Sequence, residues 1–294
     1  MLLPSDMSCP ATRYPWGVAT DALVDINGLR EGASRLAFEA GQKILEIYAT
    51  EFEVTSKADT SPVTAADLAS QAHIVQGLQA LTPDIPVIAE ESDLPSYEER
   101  KGWNRFWLVD PLDGTKEFVK RNGEFSVNIA LVENGYPLLG IVHAPVTGVT
   151  YVGTTKTRHS PASAWRYDVE GSAHPVHSRA PDGTGVRVMV SRSHSNVPTV
   201  KFIEALGREF GPVETIPRGS AIKSCLVADG TAHYYPRLGP TMWWDTAAAQ
   251  AVLIAAGGEM LAENGGGPLR YGGEHLGNPP FVAVYSSEAF LPEP

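Results

Sequence analysis

Between residues 29 and 50 the apolar positions Leu29, Ala33, Leu36, Ala40, Ile44, Ile47 and Tyr48 recur at three- and four-residue steps, which predicts an amphipathic helix. A polar segment, SKADTSP, follows, and a second helix starts near Thr64 with Thr64 as N-cap and Asp67 as the capping acid. From Ile85 to Thr154 the pattern changes to short β-rich runs, PVIAE, FWLVD, FSVNIALV, LLGIVHAPV and VTYVGT, punctuated by Gly, Pro and Asn. Residues 155–185 are rich in Ser, Pro, His and Gly without a period, and read as loop or irregular edge at the seam between two subdomains. Beyond them VRVMVS, VETIP, AHYYP and FVAVYS read as strands. Residues 199–210, 220–229 and 245–256 read as helices, the last one stopped by Gly257-Gly258.

This order predicts a loose N-terminal tail (1–27), an α+β subdomain (28–155), an irregular connecting segment (156–185) and an α/β subdomain (186–294), with a crevice between the halves. Hydrophobic residues make up 43% of the 294, enough to bury a sizeable core. The 34 acidic and 23 basic residues leave a net charge of −11. Such a surface argues against a nucleic-acid polymer as partner, whereas a small anion remains compatible because a metal ion reverses the local sign of an acidic pocket. No apolar run approaches the roughly 18 residues of a membrane-spanning helix. Two cysteines cannot build a disulfide framework, so a reduced, cytoplasmic chain is expected. Peripheral association with a membrane and a homodimer both stay open.

The chemistry is concentrated where apolar runs end in acids. Trp107-Leu108-Val109-Asp110 runs into Pro111-Leu112-Asp113-Gly114-Thr115, so a strand delivers one carboxylate and a Pro/Gly bend turns a second toward it. The Leu112 carbonyl lies between them, and carboxylates with a carbonyl are the ligands a hard cation such as Mg²⁺ prefers. Val87-Ile88-Ala89-Glu90-Glu91, Thr64-Ala65-Ala66-Asp67 and Trp244-Asp245-Thr246 repeat the logic at other element ends. Taken singly, Asp67 and Asp245 can simply complement helix dipoles, and Glu90 can be a solvated strand end. Cys225, in an apolar helical run, reads as a small core residue, and His73 and His143 as packing or surface groups.

In this order the strings resemble the inositol monophosphatase superfamily of Mg²⁺-dependent, lithium-sensitive phosphatases. Within it they are most similar to the 3′(2′),5′-bisphosphate nucleotidase branch. The resemblance is carried by Lys57 to Thr64, Asp110 to Phe118, Ser191 to His194, Gly219 to Gly230, Tyr235 to Thr241, and Trp244 to Gly258. Trp243 beside Trp244, and Ala249 where this branch often has Gly, are departures that remove no ligand. The resemblance implies a layered αβαβα sandwich of the inositol monophosphatase and fructose-1,6-bisphosphatase type.

It also implies roles. Glu90, Asp110 and the Leu112 carbonyl would hold one Mg²⁺, Asp110, Asp113 and Asp245 a second, with Asp67 helping to hold a weaker third. Asp67 and Thr115 would activate the attacking water. Substrate contacts would come from Glu90, Leu112, Asp113, Gly114, Thr115 and Asp245 near the scissile phosphate. Ser191, Arg192, His194, Gly219, Ser220, Lys223 and Arg237 would supply the nucleotide side. The implied reaction removes the 3′-phosphate of adenosine 3′,5′-bisphosphate, and of 3′-phosphoadenylyl sulfate as a second candidate, which clears a by-product of sulfate assimilation. Two alternatives stand beside it: an inositol or fructose phosphatase, and a catalytically silent nucleotide-binding regulator.

Overall fold

Apolar runs that are buried on both faces of a sheet read as continuous hydrophobic stretches, and the central strands of this chain do so for that reason. The computed structural model describes residues 25–56, 62–157, 160–192, 196–263 and 266–292. In strand β4 (Arg105–Asp113), Trp107 and Val109 face one core while Phe106 and Leu108 face another. Strands β3 (Val87–Ala89), β4, β5 (Ser126–Glu133), β6 (Tyr136–Ala144), β7 (Val149–Thr154), β8 (Ser163–Tyr167) and β9 (Ala173–Pro175) form a seven-stranded sheet in sequence order. Only the β3–β4 pair is parallel.

Helices α1 (Ile26–Tyr48) and α2 (Ala65–Leu81) cover one face of this sheet. Their apolar stripe, Leu29, Ala33, Leu36, Ala40 and Ile44 on α1 with Ile74 and Leu78 on α2, meets Trp107, Val109, Ile129 and Ile141. The other face carries helix α7 (Trp243–Ala255), which crosses β4 to β8. Gly140 and Gly153 permit that close approach: a Cβ at Gly140 would stand 2.1 Å from the Ala248 carbonyl oxygen, and one at Gly153 2.3 Å from the Val252 Cα.

A second, five-stranded sheet runs β11 (Val213–Arg218), β10 (Val186–Ser191), β12 (Tyr234–Arg237), β14 (Phe281–Val284), β13 (Glu259–Ala262). Helix α6 (Ile222–Ala228) packs with α7 between the sheets, and α5 (Val197–Phe210) covers the outer face. Strand β14 shows the division, with Phe281 and Ala283 turned to the inter-sheet core and Val282 and Val284 to the α5 side. The layers are therefore αβαβα, as the resemblance implies. Two short helices, α3 (Tyr97–Arg100) and α4 (Thr115–Val119), and the β1 (Val54–Ser56)–β2 (Pro62–Thr64) pair complete the described elements.

Three expectations need correction. Residues 156–185 are not simply an irregular connection, because β8 and β9 lie within them and extend the large sheet at its edge. Strand β9 is the edge and is exposed, and β8, paired on both sides but next to it, is only partly buried; neither needs a continuous apolar run, so Ser163 to Tyr167 and Ala173 to Pro175 carry little hydrophobic signal. The first helix begins at Ile26 with Asp25 accepting from the Gly28 N–H, so it takes in the end of the segment read as a tail, of which residues 1–24 lie outside the described residues. Strands β1 and β2 flank the polar segment near residue 60, where only a loop is expected; residues 57–61 lie outside the described residues.

Candidate active site

The parallel register of β3 and β4 sets Ala89 opposite Val109, and Glu90 continues the ladder by donating its N–H to the Val109 carbonyl at 3.1 Å. Glu90 and Asp110 thus leave the sheet side by side. Along a regular strand residues three apart face opposite sides, which would separate Asp110 from Asp113. A bulge prevents this: Asp110 pairs with Asn128 and Asp113 with Ser126, so β4 spends one more residue than β5 between those two pairs. Both carboxylates are thereby turned to one side. The bulge is fixed from behind, where the Ser70 hydroxyl of α2 donates to the Pro111 carbonyl at 2.7 Å. The Asp110 carboxylate accepts from the Leu112 N–H at 3.0 Å.

Asp67 reaches the same place from the first turn of α2. Its Oδ2 accepts from the N–H and the hydroxyl of Thr64, both at 2.7 Å, which completes the expected capping box. Its Oδ1 accepts from the Thr115 hydroxyl at 3.1 Å. Gly114, at φ 100°, turns the chain into α4 and presents Thr115 to Asp67. Asp245 arrives on the first turn of α7, where its Oδ2 accepts from the Met242 N–H at 2.8 Å. Asp113 accepts from the Asn128 amide at 3.3 Å and from the Ala221 N–H.

Glu90, Asp113, Gly114, Thr115, Ser191, Gly219, Ser220, Lys223, Arg237 and Asp245 line one cleft of about 210 Å³. Asp67, Asp110 and Leu112 lie buried directly behind that lining. Two expected contacts differ. The Arg192 guanidinium makes a paired ion contact with Glu124 at 2.8 and 2.7 Å and does not line the cleft; its neighbour across the strand end, Glu124, draws it away. His194 lies outside the described residues.

The cleft is also lined by Lys116, Glu117, Ser224, Tyr235, Thr241, Thr246 and Phe281. Tyr235 and Thr241 sit in a string that signals the site. Ser224 likewise sits in the Gly219 to Gly230 string, whereas Phe281 carries no local signal, since an aromatic at a strand start is a common core residue.

Packing so many acids together has an electrostatic consequence. Burial, then neighbouring Glu90, Asp113 and Asp245, push the Asp110 carboxyl well above its usual range. Burial, followed by the Asp113 charge, pushes Asp245 up to about 8. Burial also raises Asp113, against the opposing pull of Lys223. Burial in turn brings Lys223 down to about 8, although Asp113 favours its charge. The Lys223 ammonium donates to the Ser220 carbonyl at 2.6 Å and lies 5.2 Å from the centre of the Tyr235 ring.

One lysine does not balance this set, and mutually repelling oxygens of carboxylate type are what a hard divalent cation relieves. The donor chemistry of Glu90, Asp110, Asp113, Asp245 and the Leu112 carbonyl therefore fits Mg²⁺. Among the described residues no three His, Cys, Asp or Glu side chains enclose a point by themselves. An ion here would draw further ligands from the carbonyl and from water, as Mg²⁺ commonly does.

Comparison with known proteins adds to this geometry. The family model for the inositol monophosphatase family matches residues 25–284. The 3′(2′),5′-bisphosphate nucleotidase CysQ of Escherichia coli O157:H7 is 47% identical over 255 residues, 85% of this chain and 98% of that protein. The Haemophilus influenzae protein of the same name is 35% identical over 85% of this chain and 90% of its own length. The crystal structure of CysQ from Bacteroides thetaiotaomicron, a bacterial member of the inositol monophosphatase family, superimposes with a TM-score of 0.76 at 39% identity, covering 88% of this chain and 98% of that one. The inositol monophosphatase of Anabaena, 23% identical with a TM-score of 0.68, shares the fold.

Proposed function

The chain belongs to the inositol monophosphatase family, and from that membership and the chemistry of the cleft we propose that it hydrolyses the 3′-phosphate of adenosine 3′,5′-bisphosphate to AMP and phosphate. The observation that carries the proposal is the meeting of two opposite chemistries in one cleft. Glu90, Asp113, Asp245 and Thr115 line it together with Lys223 and Arg237. A phosphomonoester needs the first group for reaction. A second phosphate on the same molecule gives the two cations a partner. The Arg237 Nε is buried without a hydrogen-bond partner, as a donor awaiting an anion would be.

Glu90, Asp110, the Leu112 carbonyl, Asp113 and Asp245 would hold Mg²⁺, two ions and a weaker third beside Asp67. When bound, such ions lower the pKa of a water and neutralise charge on the phosphate. The residues of the chain do the rest. Thr115 Oγ donates to Asp67 Oδ1, which leaves its lone pairs to accept a hydrogen bond from the attacking water. Asp67, whose carboxyl is raised by burial, is the base at the end of that pair and takes the proton. The turns at Gly114 and Gly219 border the phosphate. Lys223 and Arg237 stabilise charge on the distal phosphate and orient the nucleotide. The P–O3′ bond breaks as the water oxygen bonds to phosphorus, and the ribose oxygen leaves with a proton from solvent. No residue forms a covalent intermediate.

Among the described residues no helix is long and apolar enough to cross a membrane. We place the activity in the cytoplasm, the compartment a two-cysteine chain suits. The test is phosphate release with Mg²⁺ from adenosine 3′,5′-bisphosphate, inositol 1-phosphate and fructose 1,6-bisphosphate, with and without lithium. Lithium-sensitive preference for the nucleotide supports the proposal. Preference for either sugar phosphate keeps the acidic site and discards the nucleotide contacts. Asp113→Asn keeps the shape and removes one charge. It is expected to abolish turnover with the melting temperature held, and near-normal turnover would refute the role given to Asp113.

A further inference from the structure

Arg192 is the one described cation of the expected nucleotide side that does not border the cleft, and the group that holds it, Glu124, is placed between the two halves of the site. The Glu124 carboxylate accepts from Arg192 Nε at 2.8 Å and Nη2 at 2.7 Å, and from the Gly219 N–H at 2.9 Å, with Arg218 Nη1 at 3.6 Å. Its own carbonyl oxygen is wedged between two turns of the cleft wall. A Cβ at Gly219 would lie 2.3 Å from that oxygen, and one at Gly114 3.2 Å from it. Burial works against its charge, yet Arg192, the Gly219 N–H and Arg218 hold the Glu124 carboxyl below its usual range.

The turn that Glu124 grips is an unusual one. Ser220 sits at φ 51°, in the left-handed region a side chain rarely adopts, and so must be held by its surroundings. The next residue, Ala221, donates its N–H to Asp113. A continuous chain of hydrogen bonds and backbone thus runs Arg192, Glu124, Gly219, Ser220, Ala221, Asp113. We propose that Glu124 is a positioning residue for the hydrolysis, acting through the Gly219–Ala221 turn on Asp113, and that Arg192 serves the site by bracing Glu124 without touching substrate. The inference rests on the nucleotidase reading for its kinetic arm only.

The test compares Glu124→Ala, Glu124→Gln, Arg192→Ala and the Glu124→Ala/Arg192→Ala double variant. Amide hydrogen exchange over 213–226 reads the turn directly, and kcat and KM for adenosine 3′,5′-bisphosphate read its consequence. Glu124→Ala is expected to speed exchange at 219–221 about tenfold or more, the effect of losing about 1.4 kcal/mol of local protection. It is expected to lower kcat about ten- to a hundredfold with less change in KM, because misplacement by about 1 Å costs up to a hundredfold. Glu124→Gln keeps an acceptor for Gly219 and recovers part of both. Arg192→Ala shifts kcat in the same direction by less, and the double variant is no worse than Glu124→Ala, as for residues acting in one chain.

A direct substrate role for Arg192 gives the opposite pattern: KM rises in Arg192→Ala, Glu124→Ala is neutral or improved by freeing the guanidinium, and the double variant shows independent losses. That pattern, or unchanged exchange at 219–221 in both Glu124 variants, overturns the proposal. Wild-type protein inactive on the bisphosphate would overturn the nucleotidase reading alone, since the exchange comparison still decides whether Glu124 holds the turn.

Discussion

Replacing Gly140 by Ala should injure both stability and turnover, and the structure sets the size of each effect. The new methyl carbon would stand 2.1 Å from the Ala248 carbonyl oxygen and 2.8 Å from the Ala251 Cβ, where ordinary contact begins at 3.4 Å. Helix α7 would have to retreat by about 1.3 Å, because the atom met is helix backbone and cannot rotate away. The strand cannot yield instead, since Gly140 is held between Ala130 of β5 and Gly153 of β7. Overpacking of this kind costs about 1–3 kcal/mol, and a backbone clash belongs at the upper end. Retreat of α7 also carries Asp245 with it, and displacement by about 1 Å in a reacting group costs about a hundredfold in rate. The assay pairs urea unfolding at fixed pH with kcat on adenosine 3′,5′-bisphosphate. Gly102→Ala, which meets nothing within 4 Å, serves as the silent control. A Gly140→Ala protein with wild-type stability and turnover would refute the claim that α7 is seated on this glycine.

Three further outcomes follow from buried polar groups. Glu259 is 1% exposed, and burial pushes its carboxyl up to about 7 from an ordinary 4.5. Its folded-state pKa being the higher, its contribution is full below pH 4.5 and is lost as pH rises through 7, so Glu259→Gln should gain about 3 kcal/mol over wild type between pH 4 and pH 8 in paired unfolding curves; a difference independent of pH would count against it. His143 is fully buried and burial brings it down to about 4, so stability is complete above pH 6.5 and falls by about 3 kcal/mol toward pH 4. His143→Phe should lack that part of the acid-side slope, and an unchanged slope would exclude His143 as its source. Asn278 donates from its amide to the Met242 carbonyl at 2.6 Å and to the Thr241 and Thr246 hydroxyls at 3.1 and 3.0 Å, so Asn278→Ala should cost about 1–3 kcal/mol and lower kcat by loosening the start of α7. Normal turnover in that variant would show that Asp245 is held by its own helix alone.

Local order was legible in the chain. The helical period of α1, the Thr64–Asp67 capping box that starts α2, the unbroken apolar run into Asp110 and the Gly257 stop of α7 are each written within a few residues, because caps and periodicity are short-range physics. Most acids of the cleft could also be picked out, since each ends an element and belongs to a specific string. Other features had no local mark. Strands β8 and β9 escaped because the exposed edge strand β9 and its partly buried neighbour β8 are not obliged to be apolar. The bulge between Asp110 and Asp113 depends on where Asn128 and Ser126 pair, and register is a property of two strands together. The partner of Arg192 was beyond reach for the same reason. A guanidinium with both a phosphate and Glu124 to choose from is assigned by distance in three dimensions, and Glu124 is 68 residues away along the chain. The sequence by itself determined which side chains could do this chemistry and which elements carry them. The tertiary structure decided which of them face one another, because pairing register, helix seating and ion-pair choice are settled only when distant segments meet.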